Sequence, residues 1–244
     1  MKVLGINCSP RKGGNTELLI REVFKALEAE GIKTEFFQLG GKKVNGCIAC
    51  MKCRKAADGR CHQKNDVINA CLRKMVKTDA IIIGSPVYFS DLSAQTKALI
   101  DVAGYALRGA GNPLKRKPGA AVIAVRRAGA IHAFDSINHF FLINEMIIPG
   151  SSYWNIAIGR EKGEVLKDEE GMKTMRVLGE NMAWLMEKIK DKRQRIKVEK
   201  LKREKGRKGE REKGRKGERE KGRKGEREKR RKRRKGEKEK RRIE

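Results

Sequence analysis

The chain has 244 residues and a formal net charge of +29, which arises from 60 Lys and Arg against 31 Asp and Glu. This length allows one large domain or two small ones. Its most apolar segment, residues 140–148, contains Asn144 and Glu145 and is too short to span a bilayer, and the first residues lack the pattern of a secretory signal. In a protein of the reducing cytoplasm, six cysteines indicate metal binding or redox chemistry rather than disulfide bonds. We therefore expect a cytoplasmic protein without membrane contact.

Strand and helix patterns alternate along the first 190 residues, as they do in proteins built on a parallel sheet. Short apolar runs predict five strands, at residues 2–7, 33–38, 80–84, 120–125 and 152–158. Apolar residues at helical spacing predict five helices, which begin near residues 15, 67, 93, 131 and 169. Right-handed crossovers between such strands give a doubly wound, flavodoxin-like five-stranded parallel sheet. We predict one α/β domain over residues 1–190, with a cysteine-rich insertion at about 40–65 after the second strand.

The composition changes after Lys190. Residues 191–244 contain 30 Lys and Arg against 12 Asp and Glu, a net charge of +18, and the repeat REKGRKGE occurs three times from Arg203 onward. Glu and Lys four residues apart in each repeat favour a helix. Each repeat also contains two glycines and no apolar residue, so it has no face to bury. We therefore predict a second region, a basic C-terminal tail that is disordered or a fraying helix.

Two loops at the carboxyl ends of predicted strands have the composition of a ligand site, because such ends meet where the strand order reverses. The first, residues 9–16, combines polar side chains with two glycines and the positive end of a helix that Asn15 or Thr16 can cap, which suits a phosphate. The second, residues 84–90, adds apolar and aromatic surface for a flat ring. Because the glycine spacing fits neither a dinucleotide nor a nucleoside triphosphate, a monophosphate such as that of FMN is favoured. Each loop by itself could also be an ordinary turn before a helix.

Four cysteines lie within fifteen residues, in the spacing C-x2-C-x2-C-x7-C: Cys47, Cys50, Cys53 and Cys61. Thiolates in a short loop are the ligands that soft metals and iron–sulfur clusters prefer. Zinc is an alternative, although structural zinc sites more often use two separate C-x2-C pairs, and His62 could replace one cysteine. The thiols could also stay reduced and without metal. Cys8 and Cys71 have the surroundings of buried structural cysteines.

Three segments resemble the NADPH-dependent FMN reductase family of flavodoxin-like proteins, and the cysteine spacing narrows the resemblance to iron–sulfur flavoproteins. These segments are residues 5–16, residues 84–88, and residues 93–97 with Asp101. The resemblance extends over about residues 1–190. It implies that Ser9, Arg11, Asn15 and Thr16 hold the phosphate of FMN, and that Pro86, Val87, Tyr88 and Ser90 line the flavin ring. Residues 126–129 do not match the family's glycine-rich form, so no role is carried over to them.

The resemblance implies an FMN-dependent oxidoreductase that passes electrons between NAD(P)H or a ferredoxin-like donor, a 4Fe–4S cluster and an acceptor. No side chain is required as a catalytic acid or base, because the cofactors carry the chemistry. Cluster and flavin meet across a subunit contact in the family, which implies a homodimer or homotetramer. One alternative is a simple NAD(P)H-dependent FMN reductase without a cluster. The basic tail supports another, a non-enzymatic polyanion-binding protein with nonspecific nucleic-acid contact; a solvated tail without a role is the third.

Overall fold

The computed structural model describes residues 1–64 and 66–240. The chain divides into two compact units, each with most of its contacts inside itself: Met1–Lys188 and Ile189–Glu244. Asn65, where the predicted cysteine insertion ends, and residues 241–244 of the predicted tail lie outside the described residues.

Strands and helices alternate in the first unit. The strands are β1 (Lys2–Asn7), β2 (Lys33–Gln38), β3 (Ala80–Tyr88), β4 (Asp91–Leu92), β5 (Gly119–Val125) and β6 (Ile156–Ile158). The helices are α1 (Asn15–Ala29), α2 (Lys52–Ala56), α3 (Asp66–Lys77), α4 (Ala94–Gly109), α5 (Ala130–Ile143) and α6 (Glu169–Lys240), with a 3-10 helix at Glu164–Lys167. The short helix α2 lies inside the cysteine segment, where the sequence pattern did not predict one.

Five parallel strands form the sheet in the order β2-β1-β3-β5-β6, which is the predicted doubly wound arrangement. The prediction of five strands was one short for the described residues, because β4 pairs antiparallel with the end of β3. Phe89 and Ser90 connect these two strands with φ values of 47° and 62°, which is the left-handed geometry of a tight hairpin turn. A two-residue strand leaves no periodic pattern in a sequence. β6 is also shorter than predicted, since residues 151–155 form a turn in which the Ser151 hydroxyl bonds to Asn155 Oδ1 at 2.6 Å.

Two hydrophobic clusters cover the two faces of the sheet. One packs α3, α4 and α5 against strand residues that include Leu4 and Ile83. The other packs α1 and the first part of α6 against residues that include Val3 and Ile82. Because successive side chains of a strand point to opposite faces, a strand buried on both faces reads as a continuous apolar run. This architecture leaves the carboxyl ends of the strands free for a ligand.

Of the two alternatives predicted for the tail, disorder or a fraying helix, the described residues agree with the helical one, because α6 extends to Lys240. The cost of helix formation lies in the first turn, after which each added residue gains a hydrogen bond. Lys, Arg and Glu are good helix formers, and they outnumber the glycines of the repeats. In residues 1–64 and 66–240, no helix combines the length and apolar character that crossing a membrane requires.

Candidate functional site

A cavity of about 410 Å³ opens at the carboxyl ends of β1, β3 and β5, which is the predicted edge of the sheet. This volume lies in the usual range of cofactor pockets. Seven of the eight residues predicted to bind a cofactor line it: Ser9, Arg11, Asn15, Thr16, Pro86, Val87 and Tyr88. The eighth, Ser90, is not among the lining residues. It lies in the β3–β4 turn beside Gly129, where an added Cβ would come within 2.8 Å of Ser90 Cα. A role for Ser90 stays a prediction.

The loop between β1 and α1 is arranged around the N-terminal end of the helix. Ser9 is buried, and its Oγ accepts a hydrogen bond from the Arg11 N–H at 3.3 Å. Gly13 adopts φ +61°, and its N–H donates to the Glu17 carboxylate at 2.7 Å. The Leu18 N–H donates to the Gly14 carbonyl at 3.1 Å, so the N–H groups of the first turn before it have no acceptor within the helix. An anion at this end of α1 would receive those hydrogen bonds.

Asn15 does not cap α1, which was one of its two predicted roles; its contact with the phosphate stays a prediction. The N-cap of α1 is Gly14, without a side-chain cap, so neither Asn15 nor Thr16 caps the helix. The Asn15 Nδ2 donates to the carbonyl oxygens of Gly159 at 2.9 Å and Glu161 at 3.0 Å. Its Oδ1 accepts from the Gly163 N–H at 2.8 Å. These bonds join the first loop to a segment 144 to 148 residues away, the loop after β6.

Four cations surround the cavity: Arg11, Arg126, Arg160 and Lys162. Sequence reasoning identified Arg11 alone. Arg126 could have been found from its position one residue past β5, at the same edge of the sheet. Arg160 and Lys162 likewise follow the end of the fifth predicted strand, at residue 158, but no motif in that loop marked them as ligands. A concentration of Arg and Lys around the first turn of α1 suits a doubly charged phosphate.

Glu17 is an acidic residue of α1 whose carboxylate binds the backbone of the loop before the helix. Partial burial opposes its ionisation, but hydrogen bonds from the Gly13 N–H and from Arg21, with the charges of Arg21 and Lys162, outweigh it and lower the pKa of the Glu17 carboxyl. The carboxylate therefore stays charged and holds Gly13 in its left-handed turn. Its charge is already balanced by Arg21, so it leaves the basic character of the cavity intact.

The opposite wall of the cavity is apolar. Pro86 and Val87 are half-buried, and Tyr88 is 43% exposed at the end of β3. Aromatic and aliphatic surface of this kind suits the face of a flat heteroaromatic ring. The cavity thus has a cationic end and an apolar end, which matches a ring that carries a phosphate on a flexible chain.

The four clustered cysteines line a second, much smaller cavity of about 20 Å³ against Val102, Tyr105 and Ala106 of α4. Three non-glycine residues between them adopt left-handed backbone angles, Ala49 at φ 52°, Met51 at φ 57° and Ala57 at φ 51°. Such conformations cost about 1 kcal/mol or more each and persist where the surroundings impose them. The Ala49 N–H also lies 3.4 Å from Cys47 Sγ. These bends lie in the segment whose four cysteines line one cavity.

The pKa of Cys53 reflects the other sulfurs of the cysteine segment. Burial raises the pKa of Cys53, and the sulfurs of Cys47, Cys61 and Cys50 raise it further, while the Arg54 N–H opposes the shift. All four sulfurs are therefore close enough to interact. Cys8 lies apart from them: burial raises its pKa to about 12, which keeps it an inert thiol, as predicted for a structural cysteine.

Cys61 is attached to α3 through the buried side chain of Asn69. The Cys61 N–H donates to Asn69 Oδ1 at 2.8 Å, and Asn69 Nδ2 donates to the Cys61 carbonyl at 2.9 Å. His62, the alternative ligand, lines the same cavity, but its Nε2 lies 3.2 Å from the Asp58 carboxylate. The geometry therefore favours Cys61 over His62 as the fourth ligand.

The donor set, four thiols on one cavity, has the chemistry that an iron–sulfur cluster requires. Among the described residues, no three His, Cys, Asp or Glu side chains are placed to hold one metal ion. Tetrahedral zinc with Zn–S bonds near 2.3 Å would require its sulfurs to lie about 3.8 Å apart. An iron–sulfur cluster is larger than a zinc ion, so its four thiolate ligands lie farther from one another than those of zinc do. Four cysteines on one cavity supply the number of thiolates that such a cluster takes.

Known proteins resemble this chain over most of its length. Residues 1–161 match the protein family described as NADPH-dependent FMN reductase. The chain is 42% identical over 197 residues to an iron–sulfur flavoprotein of Methanocaldococcus jannaschii, a match that covers 78% of this chain and 100% of that protein. An iron–sulfur flavoprotein of Methanosarcina thermophila is 32% identical over 197 residues, with 80% of this chain and 100% of that protein covered.

Solved structures with low sequence identity share the fold. The flavoenzyme NAD(P)H:(acceptor) oxidoreductase FerB of Paracoccus denitrificans aligns with a TM-score of 0.57 at 19% identity, over 77% of this chain and 97% of that one. A flavodoxin from the domain Archaea aligns with a TM-score of 0.51 at 14% identity, over 77% of this chain and 99% of that one. At such identities the likeness establishes the flavodoxin-like architecture and nothing further.

Proposed function

The chain belongs to the NADPH-dependent FMN reductase family and, within it, to the iron–sulfur flavoproteins, and from this premise we propose that it is an electron-transfer protein with two redox centres. It is an FMN-dependent flavoprotein oxidoreductase of that family. The proposed centres are FMN, in the cavity at the carboxyl edge of the sheet, and a 4Fe–4S cluster at the four clustered cysteines. The observation that carries the proposal is that two separate sets of predicted ligands each converge on one cavity.

The FMN phosphate would lie at the first turn of α1. Ser9 and Arg11 would bind it from the loop after β1, and Arg126, Arg160 and Lys162 would add positive charge from the far side. The apolar wall of Pro86, Val87 and Tyr88 would contact the ring. FMN supplies transfer of one electron or of two, and the protein supplies binding and orientation. No side chain in the cavity is required to carry a proton.

The four thiolates of Cys47, Cys50, Cys53 and Cys61 would hold the cluster. An iron–sulfur cluster supplies transfer of single electrons, and hydrogen bonds to its sulfur ligands tune its potential. The Ala49 N–H at Cys47 Sγ is such a bond in this chain. Tyr105 and Val102 of α4 shield one side of the site from water. Together the two centres would allow pairs of electrons to be split or combined.

Anaerobic purification with quantification of FMN, iron and acid-labile sulfide tests the proposal. We expect about one FMN and four iron atoms per chain, with cluster and flavin absorption in the visible spectrum. Flavin without iron would establish the second candidate, a simple NAD(P)H-dependent FMN reductase. Protein without flavin would contradict both. All six cysteines are free thiols, which agrees with the reducing cytoplasm that we propose as its location.

We propose a nicotinamide or a ferredoxin-like protein as the electron donor. A nicotinamide would stack on the ring face beside Tyr88, which is open to solvent; a small redox protein would instead approach the cysteine cavity. Anaerobic stopped-flow reduction by NADH, NADPH and a reduced ferredoxin distinguishes them. If the flavin absorbance bleaches before that of the cluster, electrons enter at FMN. If the cluster bleaches first, electrons enter at the cysteine site.

A homodimer or homotetramer is part of the proposal. Ile131, Leu142 and Ile143 of α5 are each about half exposed or more, which is unusual for large aliphatic side chains on one helix. Burial of this surface against a second copy would stabilise the assembly. Light scattering coupled to size exclusion measures the mass, and a purely monomeric holoprotein would contradict the assembly.

A further inference from the structure

Residues 219–234 of α6 form a strongly basic, fully exposed helical segment, here called the basic segment. It contains eleven Lys and Arg against three Glu, a net charge of +8. At a rise of 1.5 Å per residue it is about 24 Å long. Its last part, residues 227–234, holds seven cations in eight residues, with Glu228 as the single acidic one.

The cations of the basic segment surround the helix rather than forming a stripe. Consecutive residues of an α-helix are separated by about 100°, so six consecutive cations at residues 229–234 point in all directions around the axis. Self-repulsion of this charge destabilises the helix, and a polyanion alongside would relieve it. The segment therefore carries an unbalanced charge that a partner of opposite sign would neutralise.

We propose that the basic segment binds the phosphate backbone of duplex nucleic acid without sequence preference, as a function separate from electron transfer. A DNA duplex carries one negative charge per 1.7 Å of axis, so a stretch equal to the segment presents about 14 charges. Lys and Arg that replace condensed counterions gain affinity through counterion release. The proposal does not depend on either redox centre.

The sequence of the tail favours nucleic acid over the other anionic partners. Between residues 202 and 242 it contains no apolar and no aromatic residue. A helix that lies on a membrane needs an apolar face to insert, and the basic segment has none. A protein partner would need side chains to pack against, and these are also absent. Without aromatic residues it cannot stack on unpaired bases, so the continuous charge of a duplex is the better match.

The comparisons agree that this part of the chain is an addition to the redox protein. The match to the Methanocaldococcus jannaschii flavoprotein covers all of that protein but 78% of this chain. About a fifth of the chain therefore has no counterpart there, a share similar to that of the second unit, Ile189–Glu244. A binding function added at one end can anchor the redox unit to a nucleic acid without altering its site.

The test uses the full-length holoprotein and two fluorescent DNA duplexes of unrelated sequence, read by anisotropy across a salt series. We expect both duplexes to bind equally, with a dissociation constant of about 1 to 100 μM at physiological salt. The variant Arg230→Gln, Arg231→Gln, Lys232→Gln, Arg234→Gln should reduce the slope of log K against log salt by about 2, because Arg230 and Arg234 share one face of the helix and can contact the same duplex. Glutamine keeps the helix propensity of the segment.

A matched control removes the same number of charges from exposed positions of the first unit: Lys33→Gln, Arg73→Gln, Lys77→Gln, Lys173→Gln. It should bind DNA as the parent does, and unchanged FMN content in both variants shows that they fold. An equal loss of affinity in the control would overturn the proposal. Absence of duplex binding at low salt, or tighter binding to phosphatidylserine vesicles than to DNA, would overturn it as well.

Discussion

Asn69 and Cys61 are joined by a pair of hydrogen bonds in which the amide side chain serves both backbone groups of the cysteine, at 2.8 and 2.9 Å. Asn69 is only 5% exposed, so water cannot replace either bond. The position of Cys61 is therefore set by α3, outside the loop that carries Cys47, Cys50 and Cys53. A loop alone would let the fourth thiol move, whereas a buried helix residue fixes it.

The variant Asn69→Ala should lose iron while retaining FMN. Removal of the amide takes away both of its bonds to the Cys61 backbone, which costs about 1 to 3 kcal/mol and frees the thiol to move. We expect a lower ratio of iron to FMN and faster loss of cluster absorbance when a chelator is added. Asn155→Ala, at another buried asparagine, is the control and should keep its iron. Equal iron content in the two variants would contradict the role of Asn69.

Serine variants of the four clustered cysteines should lose the cluster, whereas a serine variant of Cys71 should keep it. Replacement of Cys47, Cys50, Cys53 or Cys61 removes a thiolate ligand, so each variant should purify with FMN and without an intact 4Fe–4S cluster. Cys71→Ser should keep both cofactors. Burial raises the pKa of Cys71 well above its usual range, and Cys8 raises it further, so it is a protonated core thiol. Analysis of iron and acid-labile sulfide measures the cluster content of each variant. If Cys61→Ser retains the cluster, Cys61 is not one of its ligands.

The variant Asn15→Ala should weaken FMN binding by about tenfold and leave riboflavin binding unchanged. Its three bonds hold the loop after β6, which brings Arg160 and Lys162 to the phosphate end of the cavity. Riboflavin has no phosphate, so it does not use this loop. Fluorescence titration of apoprotein with both flavins measures the difference. Asn181→Ala, which removes an asparagine bond to the distant Gly150 carbonyl, is the control.

Two adjacent arginines offer a matched comparison of charge at the cavity. Arg126 lines it, and Arg127 does not, although both are exposed. Arg126→Ala should weaken FMN binding by about tenfold, because a charge-assisted bond to phosphate is lost. Arg127→Ala should change it less than about twofold, since exposed charges at a distance are screened by salt. Similar effects of the two variants would place the phosphate away from Arg126.

Stability in acid should depend on Glu22, which joins α1 to α6 through Arg176 at 2.8 Å. Burial opposes its ionisation, but bonds from Lys25 and Arg176 outweigh it and lower its pKa below the ordinary 4.5. Ionised Glu22 therefore stabilises the fold above pH 4.5, and this contribution is lost as the pH falls through the lower folded pKa.

The variant Glu22→Gln should lower the free energy of unfolding by about 1 kcal/mol at neutral pH and flatten its decline in acid. Glu180→Gln, at an exposed position of α6, should follow the parent at every pH. Urea unfolding at several pH values provides the measurement. A decline in acid as steep as that of the parent would show that Glu22 does not contribute to it.

Local patterns were sufficient for the parts of this protein that depend on neighbouring residues. The five parallel strands follow from apolar runs, and the spacing of four cysteines predicts a cluster site because all the proposed ligands lie within fifteen residues. The loops after β1 and β3 were identifiable because the carboxyl ends of parallel strands meet at one edge. The tail showed the limit of such reasoning: its glycines favoured disorder and its Glu–Lys pairs a helix, and the sequence pattern left both open, whereas the described residues form α6.

Tertiary structure decided the rest, because it depends on contacts between distant residues. Arg160 and Lys162 reach the cavity through a loop that Asn15 holds from more than 140 residues away. Asn69 became a partner of Cys61 only when α3 packed beside the cysteine segment. The chain by itself therefore determined which chemical groups are available, and their spacing where they are neighbours. The packed fold determined which of them act together, since a buried polar group takes its partner from whatever the fold brings within hydrogen-bond distance.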